Sequence, residues 1–529
     1  MDAVGIAVGS SKRLVSAPQL DFGLLAAPQV LAVGLASVST QPFSLGNTVV
    51  RITPTQNVWF TVGPTAAQHV AGNDYLAANT TWLMKIPAGA VLSFIADTLA
   101  GYVAIAAAVS PPAPGVAVAV PASALAFDFT TGTLDPSITF ARATTATYFD
   151  NTGTLQTAAS GAARFDYDPV ALTPRGLLIE EARTNAIRNN TMQGAVAGTP
   201  GTVPTNWGIG SGIGFNRQIV GTGTENGITF IDVKYTGTPT SSGNVVIDFD
   251  SGVTQAASPG QVWTSSHFVR VASGSLANAG VFIQTQARNS GGTLLGGGIT
   301  VNATTAVAAA TSLATNRVVA TGTLSDAATA FVAARMFLNM TNGNPVDFTL
   351  RIGLPQLELG AAASSPIATS TVAVTRNADQ AYIANPPGVN PNEGTLFYDS
   401  EMTSLSNSGN NVYGGISDGT FANSKYWNYN GTSYFWSGVG GNVGITLPLA
   451  IGARLKMAGT YKLNVANLAA VNSTVNTGAA QSALPGMTRI SIGCNVWQLP
   501  PGNQINGHVR AFAYYSSALS PNQLALITT

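Results

Sequence analysis

Charge is what this sequence has least of. Lys, Arg, Asp and Glu make up 9% of the 529 residues, against roughly 25% in an ordinary soluble protein. The 23 basic and 23 acidic side chains cancel, which removes the electrostatic case for nucleic acid or an anionic membrane surface as a partner. Cysteine is nearly absent: Cys494 stands alone, so no intramolecular disulfide framework and no thiolate metal cage can form. The three histidines, His69, His267 and His508, are read as polar strand or turn residues, since no catalytic pattern surrounds them. HExxH, a Walker loop, a dinucleotide glycine fingerprint and a GxSxG elbow are all missing. No metal, cofactor or catalytic residue is therefore expected, and the chain reads as a non-enzyme. Long helical patterns, heptads and repeats of fixed period are missing too, which excludes a coiled-coil or collagen-like shaft. The longest apolar run, Ala88 to Val109, is nearly long enough to cross a bilayer, but Asp97 stands in its middle and Gly101 and Tyr102 follow. It reads as two buried strands, AVLSFIAD and GYVAIAAA, joined by a turn, and no membrane insertion is expected. No basic segment precedes an apolar stretch near Met1, so a secretory signal is not expected.

Short β-branched and aromatic runs, punctuated by Gly, Pro and Asn, take the place of charge. The length allows three or four domains with well-buried cores. A surface of Ser, Thr, Asn, Gln and Gly lacks mutual repulsion, which suits a long-lived assembly. Residues 1–45 have weak periodicity and three prolines and read as an N-terminal arm. Residues 46–109 read as a small β domain, with Val58, Phe60 and Val62 on one strand face and Trp59 and Thr61 on the other. The stretch SPPAPGVAVAVPASA, 110–124, has four prolines and reads as a linker. Residues 125–386 contain seven strand-like runs, from GITFIDVKYTG to VDFTLRIGLPQLELG, the pattern of two antiparallel sheets packed face to face. In this region Val245, Ile247 and Phe249 should point inward. Residues 387–529 are again β-rich and end on a strand with large groups on both faces, followed by a short helix with Ser520 as N-cap and Pro521 at its first position. The expected fold is all-β: an N-terminal small β domain followed by two antiparallel β-sandwich (jelly-roll) domains.

Acid chemistry would need paired carboxylates, and the close pairs are Asp166 with Asp168, Glu180 with Glu181, and Asp248 with Asp250. The Asp248–Asp250 spacing puts both on one strand face, read as solvated. Glu180 and Glu181 are expected to form structural ion pairs with Arg175 or Arg183. Binding fits the residues better. Sugars stack on aromatic rings and bond to amides and hydroxyls, and the densest aromatic stretch runs from Tyr413 to Trp436. It holds Tyr413, Phe421, Tyr426, Trp427, Tyr429, Tyr434, Phe435 and Trp436, with Asn423, Asn428 and Asn430 between them. The candidate glycan-binding residues are Tyr413, Tyr426, Trp427, Asn428, Tyr429, Tyr434 and Trp436. In KYWNYNG, Tyr426 and Asn428 share one face and Trp427 and Tyr429 the other; one face should be core and the other free to meet ligand.

Residues 140 to 184, FARATTATYFDNTGTLQTAASGAARFDYDPVALTPRGLLIEEART, gather many of the few charges between short strand-like runs, with turns at Asn151-Thr152-Gly153 and Asp168-Pro169. This stretch closely resembles a segment that recurs in bacteriophage tail and fibre proteins. A second stretch, RIGLPQLELGAAASSPIATSTVAVTRNADQA at 351–381, resembles the end of a carbohydrate-binding-like jelly roll in phage fibres, through Pro355 to Glu358 and Ser365 to Thr369. Residues 46–109 resemble small docking domains of phage particle proteins, and 387–529 resemble a concanavalin A-like (laminin-G type) jelly roll. The resemblance implies a structural protein on the virion surface, a tail fibre or tailspike-like adhesin. It further implies a homotrimer that contacts other tail or capsid proteins and binds host cell-surface polysaccharide. A capsid-attached head fibre or decoration protein, and a glycan depolymerase, stand as alternatives.

Overall fold

The computed structural model describes the strands of the first 117 residues and residues 118–529 apart from 211–213, 252–254, 297, 408, 449–450, 496 and 498–502. The chain forms two compact units, Met1–Val118 and Ala119–Thr529. The first unit holds two four-stranded antiparallel sheets. One runs in the order Gln29–Val33, Gly101–Ala108, Thr48–Pro54, Trp82–Ile86, and the other in the order Val38–Ser39, Val91–Ala96, Val58–Gly63, Asp74–Leu76. The two strands expected between Ala88 and Val109 are present, one in each sheet. Val58 and Phe60 are buried together, as the alternation requires. The proposed arm at 1–45 needs correction: Gln29–Val33 pairs along its length with Val33's partner strand Gly101–Ala108, and Val38 and Ser39 pair with Phe94 and Ser93. Apolar Val30, Leu31 and Val33 thus belong to a sheet, and residues 1–28 lie outside the described residues, as does His69.

The second unit contains two β-sandwiches, one inserted into the other. The inserted one packs a five-stranded sheet (Phe215–Glu225, Ile228–Gly237, Val346–Leu359, Val262–Ser275, Arg317–Thr323) on a six-stranded sheet. The latter runs Gly208–Ile209, Gly243–Asp248, Phe331–Met340, Ala279–Arg288, Ile299–Asn302, with Gln255–Ala256 also on Phe331–Met340. All seven expected strand runs are strands, and Val245, Ile247 and Phe249 are buried in the shared core. Alternation along these strands, apolar inward and Asn, Thr, Gln or Arg outward, drives the two sheets face to face.

The enclosing sandwich has a seven-stranded sheet in the order Ile138–Ala141, Gln380–Ala384, Arg489–Ile492, Asn411–Ser417, Lys425–Tyr429, Tyr434–Gly438, Val443–Ile445. Its eight-stranded partner runs Phe165–Tyr167, Pro174–Ile179, Gly507–Tyr515, Glu393–Met402, Arg454–Lys462, Ala466–Val471, Thr474–Ala480, with Leu125–Asp128 also on Gly507–Tyr515. The final strand is central, as its two large faces require, and the helix Pro521–Ile527 starts with a Ser520 capping box. Here the boundaries at 125–386 and 387–529 need correction. The lead-in strands at 125–128, 138–141, 165–167 and 174–179, and the exit strand at 380–384, all lie in the sandwich assigned to 387–529. The linker 110–124 is likewise shortened: 109–117 are outside the described residues, but Val120 packs beside Leu519 and Leu524, and Ala124 N donates to Tyr514 O at 2.8 Å.

The two ends of the insertion meet as a short antiparallel pair, Arg183–Asn185 against Val374–Arg376. Beside this neck a hairpin of the lead-in, Ala146–Phe149 with Leu155–Ala158, leaves the enclosing sandwich and packs on the inserted one. Leu155 and Phe149 join Ile228, Phe230, Phe268 and Leu354 in a small apolar cluster, and Leu155 N donates to Asn226 O at 2.8 Å. Gly227 has φ +74°, and a Cβ there would sit 2.0 Å from Leu155 O, so only glycine permits this close approach.

Candidate functional site

Strand parity sorts the seven aromatic-stretch candidates. Tyr413, Trp427, Tyr429, Tyr434 and Trp436 all point between the two sheets of the enclosing sandwich and form its core with Tyr398, Tyr461 and Tyr514. Trp427 and Trp436 lie 5.7 Å apart between ring centroids, and Trp436 Nε1 donates to Thr460 O at 2.7 Å. These five cannot meet a glycan; burying such rings is worth a few kcal/mol each to the fold. That is a correction to the expected site. Tyr426 and Asn428 have the opposite parity and lie on the outer face of the seven-stranded sheet.

Two rings from loops cover this outer face. Phe421, 60% exposed, sits in the turn that Asp418 builds by accepting from Thr420 N and Oγ1. Trp497 comes from the loop after Arg489–Ile492. The ring of Tyr426 is 4.6 Å from Trp497 and 6.1 Å from Phe421, and these two are 5.4 Å apart. On neighbouring strands, Ser437 is opposite Tyr426, and Phe435 is opposite Asn428. Gly444 lies opposite Phe435, where a Cβ would come within 2.8 Å of the ring. Asn428 Nδ2 donates to Asn410 Oδ1 at 3.0 Å, whereas Asn428 Oδ1 is buried with no partner among the described residues. A buried acceptor left open costs about 1–3 kcal/mol, a penalty the sheet carries at this position. On the same sheet face the Arg489 guanidinium lies 4.9 Å over the Tyr382 ring.

The neighbouring core-facing position is Lys425. Its ammonium donates to Gly441 O and lies 5.7 Å over the Trp436 ring, and no carboxylate pairs with it among the described residues. Burial pushes its pKa down to about 8.

The carboxylate pairs are all committed elsewhere. Asp248 accepts from Arg335 at 2.7 Å and Asp250 from Arg188 at 2.7 Å. Asp168 caps its own turn through Val170 N and Ala171 N. Asp166 lies 2.8 Å from His508 Nε2. Glu181 pairs with Arg183 at 2.6 Å, as expected, but Arg175 pairs with Glu401 instead. Glu180 belongs to a buried network at the neck with Arg164, Arg376, Arg142, Asp379 and Ser365. Arg164 reaches Glu180 at 2.8 Å and Asp379 at 2.5 Å, Arg376 reaches Glu180 at 2.8 Å, and Arg142 reaches Asp379 at 3.0 Å. Burial alone would raise the Glu180 carboxyl, but Arg376, Arg164 and the Ser365 hydrogen bonds outweigh it and hold it well below the carboxylate range. His267 is stacked on Phe249 at 4.5 Å, with burial lowering its pKa to about 3. Among the described residues no group of three or more His, Cys, Asp and Glu could hold a metal ion, and no helix is long and apolar enough to cross a membrane.

Sequence reasoning named Tyr426 and Asn428 as candidates, noted Phe421 only as part of the aromatic stretch, and missed Trp497, which lies far along the chain from Tyr426 and meets it only through the strand order. No family model matches the chain, and no curated protein matches it. Among solved structures it is similar to the N-terminal CBM22-1-CBM22-2 tandem domain of Xyn10C from Paenibacillus barcinonensis, at 10% identity. That match covers 63% of this chain and 94% of the other at a TM-score of 0.19, too loose to carry an argument about fold or ligand.

Proposed function

We propose that this chain is a structural adhesin of a bacteriophage particle and that the outer face of its seven-stranded sheet binds neutral glycan on the host surface. The observation that carries the binding reading is the Phe421–Tyr426–Trp497 cluster, with Phe421 exposed on its outer side. Phe421 and Trp497 offer apolar ring faces to the C–H side of a pyranose, with the buried Tyr426 ring beneath them. No proton transfer is required of any residue, and the reading is of a binding protein rather than an enzyme. The phage assignment is supported by the two sequence stretches at 140–184 and 351–381, which supply most of the neck. In this reading the chain assembles as a homotrimer with tail or capsid proteins on the virion surface. Weak single sites are then multiplied by copy number.

The test compares Trp497→Ala and Phe421→Ala with the intact protein for binding to surface polysaccharide from the cells on which the particle is raised. Both variants should fold normally and lose at least tenfold in affinity, whereas Trp427→Ala should lose the fold itself. Unchanged binding by both variants refutes the assigned face. Adsorption that is indifferent to antibodies against the protein refutes the adhesin role.

A further inference from the structure

The outer face of the six-stranded sheet in the inserted sandwich carries a second pair of rings. Phe282 and Phe337 are directly opposed on neighbouring strands and half-buried, with ring planes 7° apart and centroids 4.9 Å apart. The ring of Phe282 leans over Gly280, where a Cβ would sit 2.8 Å from Phe282 Cε2. The missing side chain is what lets that ring lie along the strand. In the same row Val246 is opposite Phe337, and Asn302 is opposite Phe282. The rows on either side are polar. In one, Asn339 Nδ2 donates to Asn244 Oδ1 at 2.9 Å. In the other, Arg335 donates to Asp248 at 2.7 Å and Gln284 Nε2 to Thr300 Oγ1 at 3.1 Å.

We propose that this face is a second glycan site, which takes a neutral pyranose chain across Phe282 and Phe337. Charge selects the ligand class. Arg335 and Asp248 are the charged groups in these rows and they neutralise each other, so the face offers no free cation for an acidic ligand and no free carboxylate for a basic one. Size argues against a second copy of the chain. Two half-buried phenyl rings show on the order of 100 Å², whereas a stable protein interface needs about 800 Å² on each partner. A sugar ring has a matching apolar face, and its hydroxyls would meet Asn339, Asn302 and Gln284 around the rings. The two platforms sit on different sandwiches, and this site does not rest on the Trp497 face. With both in place, one polysaccharide held at two points binds with an affinity well above that of either site.

The test presents the full chain and the variants Phe337→Ala, Gly280→Ala and Trp497→Ala to an array of neutral and acidic bacterial polysaccharides. Gly280→Ala is the informative partner, because Ala keeps or improves strand stability while displacing the Phe282 ring. The expected result is a neutral polysaccharide whose signal falls at least tenfold with both Phe337→Ala and Gly280→Ala. Signals lost only with Trp497→Ala overturn the second site and leave the first standing; signals lost only with the Phe337 and Gly280 variants do the reverse. An array with no Phe337-dependent neutral signal overturns the proposal. Self-association in sedimentation that disappears with Phe337→Ala also overturns it and assigns the face to a second copy.

Discussion

Lys425 is a buried ammonium with no carboxylate partner among the described residues, and the fold should be more stable without its charge. Burial lowers its pKa from 10.5 to about 8, and at 1.36 kcal/mol per pH unit this is a penalty of about 3 kcal/mol for holding the charged form in the fold at pH 7. Lys425→Met keeps the length and the packing against Trp436 but leaves Gly441 O without its donor, which costs about 1 kcal/mol. The net expectation is stabilisation by about 2 kcal/mol at pH 7. The pH dependence fixes the cause. Between about 8 and 10.5 the unfolded chain holds a proton on Lys425 that the folded chain has released, so wild-type stability gains with rising pH in this window. The advantage of the methionine variant should therefore shrink and then reverse, to a deficit of about 1 kcal/mol, as pH rises from 8 to 10.5. Hydrogen exchange of the amides in Lys425–Tyr429 and Tyr434–Gly438 reads this locally, free of the other sandwich. Exchange that is faster in Lys425→Met at pH 7, or an offset between the two proteins that does not change with pH, refutes the reasoning.

The neck should respond to loss of one carboxylate. Glu180→Gln leaves Arg164 and Arg376 buried beside a neutral partner, and breaking a buried ion pair costs about 3–5 kcal/mol. Since the Glu180 carboxyl is held below its ordinary value of 4.5, its contribution is present above that pH and is lost as pH falls toward the folded value. Urea unfolding should show the wild type losing stability below pH 4.5 more steeply than Glu180→Gln. Where the lead-in hairpin packs on the inserted sandwich, Gly227→Ala should cost at least about 1–2 kcal/mol, the cost of a left-handed backbone at a non-glycine residue. It should also release the 146–158 hairpin, read as faster exchange and earlier proteolysis there, with binding to polysaccharide unchanged.

Strand content and face parity were legible because each is a local property. Val245, Ile247 and Phe249 recur at every second position, with Asp248 and Asp250 after Ile247 and Phe249, and went to the core, and the period of two in KYWNYNG separated Trp427 from Tyr426. The candidate list kept both faces of that strand, and the core claimed five of its seven members. What was not legible was partnership at a distance. Leu125–Asp128 and Ile138–Ala141 are four-residue strands, too short to announce that their partners lie beyond an inserted domain of nearly two hundred residues. Trp497 was hidden for the same reason: nothing near it in the chain points to Tyr426.

The placement of the scarce charges follows from that insertion. The chain must pass the neck twice, and the loops on the way are buried yet outside any sheet ladder, so their carbonyls need donors from side chains. Arg142 donates to Thr144 O, Ala159 O and Ala162 O as well as to Asp379. Arg164 donates to Thr147 O, and Arg376 to Glu181 O. Arginine suits this work because its five donors fan out in a plane, which a lysine cannot match. Glu180 and Asp379 then offset the charge, and each also takes a backbone N–H: Glu180 from Ser365 and Asp379 from Glu180. The stretches at 140–184 and 351–381 are therefore two halves of one device, separated in sequence by the domain they hold. In the proposed reading the neck holds the two sandwiches together, and recognition of sugar falls to the outer sheet faces, where the rings are.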